Sequence, residues 1–210
     1  MKNVVFIYLI CSFSLFSYAQ PEGFTRLSSL EKVKEQMKTA GTNQKTIQST
    51  FKQVKVMEYI DVAIHSSGSF WYMAPSRVRW EYTVPYDYTI IINSGKLSLI
   101  SGESQNEFNL ENSEIFEQIN SLMVGSVTGN IFESDDYDIE VYESKSQYFF
   151  SLHPKAEFMQ GVIKGIDMLL DKETAIVNKI KMIENKDNHS EITFSNIKIN
   201  EPISEEIFLP

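Results

Sequence analysis

From Ile47 onward, apolar and polar side chains alternate with a period of two, most clearly where Val78, Trp80, Tyr82 and Val84 interleave with Arg77, Arg79, Glu81 and Thr83. Successive residues of a strand face opposite sides of a sheet, so the pattern predicts a strand with one buried face. Comparable segments recur at 60–73, 87–93, 96–101, 104–110, 137–143, 147–153, 162–170, 175–184 and 190–199. Their connectors are hairpin-like. Asn93, Ser94 and Gly95 form a compact turn signal, and Lys186, Asp187, Asn188 and His189 a polar tip between two apolar runs. The sheet is expected to be antiparallel and mostly sequential.

Two segments break this rhythm with helical spacing. Leu27, Leu30, Val33 and Met37 recur at three- and four-residue steps, Ser28 and Glu31 have capping-box spacing, and Gly41, Thr42 and Asn43 end the pattern. In mid-chain, Ile115, Phe116, Ile119, Leu122 and Met123 trace an apolar helical stripe between Asn112 and Ser113 on one side and Gly125 and Gly129 on the other. The fold class expected is mainly β with helices (α+β): an incomplete antiparallel β-barrel of about 10–11 strands, covered by an N-terminal helix and a helical lid. Two short helices cover only part of an aromatic-rich sheet face, and the uncovered remainder is a candidate cavity.

The beginning of the chain changes the expected compartment. Lys2 precedes an apolar run from Val4 to Phe16, followed by Ser17, Tyr18 and Ala19. That is the pattern of a secretory signal peptide, here 1–19, leaving a single domain over 20–210. Its apolar run of about a dozen residues is shorter than the roughly 20 a membrane-spanning helix needs. The chain's single cysteine, Cys11, follows Ile10 and lies inside this run, unlike a lipid-modified cysteine, which follows a small residue. It is expected to leave with the leader, so the mature chain has neither disulfides nor thiolate metal sites. The formal charge of −9 becomes −10 without Lys2, which disfavours nucleic acid and anionic membrane surfaces as partners. With 14 Phe, 10 Tyr and 2 Trp, packing alone can supply the stability.

Catalytic patterns find no support. His65, His153 and His189 are scattered among strand ends and a polar tip, and neither H-E-x-x-H nor G-x-S-x-G occurs. Glu133, Asp135, Asp136 and Asp138 cluster without the spacing of a calcium loop and read as a solvated turn. No enzyme activity, cofactor or metal is expected.

Residues 68–86, GSFWYMAPSRVRWEYTVPY, resemble the LolA-type outer-membrane lipoprotein carriers through Gly68, Phe70, Pro75, Arg79, Trp80, Tyr82 and Pro85, followed by Gly95 and Lys96. Phe51 and Gln53 match an F-x-Q after the first helix, 114–132 the lid region, and Leu152, Pro154 and Lys155 an L-x-P-K. The resemblance covers essentially the whole mature chain. It implies a periplasmic, monomeric carrier whose apolar cavity takes the acyl chains of a lipoprotein from an inner-membrane export transporter and hands them to an outer-membrane acceptor. Each buried methylene is worth about 0.8 kcal/mol, so exposing a long acyl chain to water costs on the order of 10 kcal/mol.

On this reading Phe70, Tyr72, Val78, Trp80, Tyr82, Ile90 and Ile92 line the cavity from the sheet, and Ile115, Phe116, Ile119, Leu122 and Met123 from the lid. The same residues also fit an ordinary core. One departure stands out: the family places a basic residue before the first Pro, where it bonds to the lid, and this chain has Ala74. Arg77 and Arg79 are the candidates to contact a head group or the lid instead, although alternation with Trp80 directs them to the outer face. Ala74 keeps open a carrier of another lipid or glycolipid. A lipid-sensing protein-interaction module is the third reading.

Overall fold

The computed structural model describes residues 20–57, 62–109, 135–185 and 187–210. The predicted leader, the predicted lid stripe Ile115, Phe116, Ile119, Leu122 and Met123, and Glu133 lie outside the described residues. In chain order the elements are β1 (Thr25–Arg26), α1 (Glu31–Asn43), β2 (Thr46–Met57), β3 (Val62–Met73), β4 (Arg77–Val84), β5 (Tyr88–Asn93), β6 (Lys96–Ser101) and β7 (Ser104–Asn109). After them come β8 (Tyr137–Glu143), β9 (Gln147–Pro154), the one-turn α2 (Glu157–Gln160), β10 (Gly165–Asp171), β11 (Val177–Ile183), β12 (His189–Ile199) and a 3-10 turn, Glu205–Phe208.

The strands form one 12-stranded sheet in the order β1-β8-β9-β10-β11-β12-β2-β3-β4-β5-β6-β7, and every neighbouring pair is antiparallel. Two meanders, β2–β7 and β8–β12, are joined side by side through β12 and β2. Every predicted strand is present, and the sheet is open rather than closed, as an incomplete barrel requires. The two-residue β1 is the addition. Alternating strand direction puts the turns at 85–87, 102–103, 155–164 and 184–188 at one end of the sheet. Those at 74–76, 94–95, 144–146 and 172–176 lie at the other.

Local chemistry explains the details. Ser94 and Gly95 have φ of 51° and 72°, the left-handed pair that a two-residue hairpin needs to match strand twist. Helix α1 begins at Glu31 with Leu30 at its N-cap and no side-chain cap, so the Ser28–Glu31 capping box does not form. The preceding chain is already committed: Thr25 and Arg26 pair with Glu143 and Tyr142, and the Leu27 amide donates to Val141 O at 2.9 Å. Pairing with β8 therefore sets where the helix starts, overriding a cap worth about 1 kcal/mol.

The core divides into two packed groups. One joins α1, through Val33 and Met37, to Val141, Phe150, Leu152, Ile166 and Met168 on β8–β10. The other holds Ile47, Phe51, Phe70, Tyr72, Val78, Trp80 and Tyr82 on β2–β4, with Ile92, Leu97 and Ile192. On the opposite side of the sheet, the 3-10 turn lies against β4 and β5 with Phe208 fully buried. Ser204 accepts from the Glu206 amide at its start, and Asn93 Nδ2 donates to Phe208 O at 3.2 Å.

Candidate ligand cavity

Between the two packed groups lies a cavity of about 440 Å³, within the range of small-molecule sites. One wall is aromatic and comes from β2–β5, with Ile47, Phe70, Trp80, Tyr82 and Ile90. The other is aliphatic and comes from β10–β12, with Ile166, Met168, Ile180, Met182 and Ile192. Phe194 bridges them, its ring 5.7 Å from Phe70 and 5.9 Å from Trp80. Phe51 sits edge-on beneath, 5.3 Å from Trp80 and 4.8 Å from Tyr82. Such pairs add about 0.5–1.5 kcal/mol each beyond burial and hold the rings in fixed orientations.

Register shows how the wall is built. Ser49, Phe70, Trp80 and Ile90 form one transverse rung across β2–β5, and Phe51, Gly68, Tyr82 and Tyr88 the next. Gly68 leaves the gap over which the Phe51 and Tyr82 rings meet. Along the strands the cavity runs from Gln44, which follows α1, towards Gln53 and Glu184. Around that second end the exposed apolar residues include Val62, Ile64, Val84, Tyr86 and Val162.

Polar groups on the wall are few. The Tyr82 hydroxyl donates to Gln53 Oε1 at 2.7 Å, Glu184 pairs with Lys55 at 3.0 Å, and Gln44 Nε2 donates to Thr174 O at 3.3 Å. Burial, with Tyr88 stacked 4.1 Å away, holds the Tyr82 phenol far above its ordinary titration range. It is a neutral hydrogen-bonding group at any working pH. By contrast Gln44 Oε1, Ser49 Oγ and Trp80 Nε1 are buried without a hydrogen-bond partner among the described residues. Each unsatisfied group costs about 1–3 kcal/mol.

Of the residues expected on the sheet side of the cavity, Phe70, Trp80, Tyr82 and Ile90 line it, whereas Tyr72, Val78 and Ile92 are packed in the same layer without reaching it. Neither Arg77 nor Arg79 lines it. Both point to the outer face, where Arg77 pairs with Glu205 at 3.1 Å. Arg79 grips Glu81 Oε2 with Nε and Nη2, at 2.9 and 2.6 Å, and donates to Ile207 O at 3.1 Å. They fasten the C-terminal turn. Ala74 is half-buried against the aromatic group, its amide donating to Lys45 O at 2.8 Å. The aliphatic wall was not anticipated. Its signal, apolar residues at every second position of 166–170 and 180–182, is present in the sequence but lacks the aromatic residues that mark the other wall.

The described residues hold no group of three or more metal-ligating side chains, and Asp138 faces Lys155 at 3.4 Å. Ser151, His153 and Asp167 do meet on the outer face. Ser151 Oγ donates to Asp167 Oδ1 at 2.8 Å and lies 3.4 Å from His153 Nε2. A nucleophilic serine needs its proton directed at a histidine that a carboxylate orients, and here the serine proton goes to the carboxylate. Burial raises the Asp167 carboxyl above its usual value, against lowering by Ser151, Lys181 and His153. A raised carboxyl favours the protonated fold, so its contribution is greatest below the ordinary value of 3.8 and is lost as pH rises through the folded-state value. Asp167→Asn is therefore expected to gain stability relative to the native chain between acid and neutral pH, read as a widening gap in urea midpoints.

A family model described as outer membrane lipoprotein carrier protein LolA matches residues 42–210. The chain belongs to this family. Within it, the outer-membrane lipoprotein carrier protein of Methylococcus capsulatus is 24% identical over 168 residues, covering 78% of this chain and 76% of that protein. Among solved structures, a chain of the MucA/MucB complex of Pseudomonas aeruginosa superposes with a TM-score of 0.50 at 13% identity, over 85% of this chain. This chain spans 61% of that one, and the likeness is one of fold. A LolA superfamily protein of Nitrosomonas europaea aligns over 88% of this chain and 99% of its own at 9% identity and a TM-score of 0.46. The LolA family is named for carriage of lipoproteins, not for catalysis. No helix among the described residues is long and apolar enough to cross a membrane.

Proposed function

We propose that the protein is a periplasmic carrier that shields the acyl chains of a lipoprotein and delivers them to the outer membrane. The observation that carries this reading is the cavity itself, two apolar walls enclosing about 440 Å³ with few polar groups. Transfer of an acyl chain from water into such a space is favourable by about 0.8 kcal/mol per methylene, which is what carriage across an aqueous compartment requires. The exposed apolar residues at the Gln53 and Glu184 end offer a docking surface for an inner-membrane transporter and an outer-membrane acceptor in turn. Ala74 stands where the family has a basic residue, which keeps open as second reading a carrier of another lipid or glycolipid.

The test is mass spectrometry of the protein purified from a periplasm. The intact mass is expected to begin at Gln20, with the leader 1–19 removed, and organic extracts are expected to contain acylated peptides. Extracts holding only other lipids support the second reading. A consistently empty protein that also fails to bind fluorescent fatty acids overturns both.

A further inference from the structure

The end of the cavity away from the exposed apolar residues is closed by very little. Beyond it, between α1 and the turn at 172–176, runs a second, open depression lined by Lys32, Glu35 and Thr39 of α1, by Glu173 and Thr174, and by Asn200. Two residues, Gln44 and Ala175, line both spaces, and each is only 4% exposed. A partition one residue thick therefore separates the apolar cavity from a polar surface.

The backbone on both sides of the partition is fixed. The Gln44 backbone amide donates to Ala40 O at 2.9 Å as α1 ends, and that of Lys45 to Asn200 Oδ1 at 2.7 Å. Ala175 holds a φ of 56° and donates to Asp171 O at 2.9 Å, in a turn where Asp171 Oδ1 also receives the amides of Glu173 and Thr174. Ala175 offers only a methyl, so the Gln44 side chain supplies the bulk. Its one hydrogen bond among the described residues, from Nε2 to Thr174 O at 3.3 Å, reaches a residue that lines the outer depression and not the cavity. The amide thus lies on the outer side and the methylene stem on the inner.

A hydrocarbon chain that enters at the Gln53 and Glu184 end gains with each methylene buried until its tip meets Gln44. Past that point stand Lys32, Glu35, Glu173 and water, among which further methylenes gain nothing. Resting on the carrier reading, we propose that Gln44 sets the longest chain the cavity accepts: a specificity-determining floor whose depth is decided by one side chain.

The experiment titrates the full chain with saturated fatty acids of about ten to about twenty carbons, by displacement of an apolar fluorophore. In the native protein affinity is expected to rise about fourfold per added methylene and then to level off at one length. Gln44→Ala removes everything beyond Cβ and is expected to move that length up by about two to three methylenes. Gln44→Asn keeps the amide on a shorter stem and is expected to move it by about one. Gln44→Met keeps the bulk without the amide and is expected to leave it in place. Each reading is a position within one protein's own series, so a general loss of stability or affinity in a variant does not shift it. An unmoved length in Gln44→Ala overturns the floor while sustaining the carrier reading, as does a native affinity that rises through the whole series. A shift in Gln44→Met equal to that in Gln44→Ala also overturns it, because the amide's hydrogen bond then fixes the end of the cavity. Failure of every fatty acid to bind overturns both.

Discussion

Replacing Ile180 with Asp is expected to weaken binding of a fluorescent fatty acid by about a hundredfold or more at neutral pH, while Ile180→Leu leaves it near the native level. Ile180 is half-buried in the aliphatic wall, paired with Met168 on one side and Ile192 on the other. In the empty protein a carboxylate there faces the cavity and can keep water. An acyl chain strips that water away, and no cation among the described residues of the cavity wall compensates, since Lys55 beside the wall is already paired with Glu184. The lost affinity is therefore a desolvation cost that appears only on filling. Its pH dependence follows. Occupancy raises the carboxyl's pKa, so binding takes up a proton, and affinity recovers as pH falls towards the ordinary carboxylate range. Fluorescence titration of a variant with native circular dichroism checks this, and unchanged binding at neutral pH would remove Ile180 from the ligand's path.

Gly68→Ala is expected to cost about 3 kcal/mol of stability, at the upper end of what overpacking one methyl does. A Cβ built there lies 1.8 Å from Glu81 O, 2.8 Å from Glu81 C and 2.9 Å from Tyr82 Cα. All three are backbone, so no side-chain rotation relieves the contact. Only separation of β3 from β4 does, at the point where their register already shifts between Ser67 and Gly68. That separation also parts the Phe51 and Tyr82 rings that close over the glycine, 4.8 Å apart in the native fold. Urea denaturation is the direct measurement, and a midpoint within error of the native one would mean the two strands can part cheaply.

Both sites bear on how much of this protein was legible beforehand. The aromatic alternation at Trp80 and Tyr82 identifies a buried face, and Gly68 belongs to the motif at 68–86. That a backbone carbonyl approaches Gly68, and so forbids any side chain, depends on how β4 pairs across from it. Ile180 lies in a segment correctly expected to be a strand, yet its place on the cavity wall was not foreseen. Aliphatic residues at every second position look the same in a strand that faces a core and in one that faces a void. Arg79 shows the reverse case: alternation put it on the outer face, but its partner, the Ile207 carbonyl, lies 128 residues away.

Periodicity and the turn signals between runs determined the strands β2–β12, their antiparallel pairing with sequential neighbours and the N-terminal helix, because these follow from which residues must face away from water within a few positions of one another. Together with the motif at 68–86 it determined the family. Tertiary structure decided what needs two distant segments: where α1 starts, which depends on β1 pairing with β8, and where the second wall of the cavity comes from, which depends on β12 returning beside β2. It also decided that Ser49 and Trp80 share a rung. A hydrogen-bonding group is left without a partner only by the position of everything around it, and no local pattern records that.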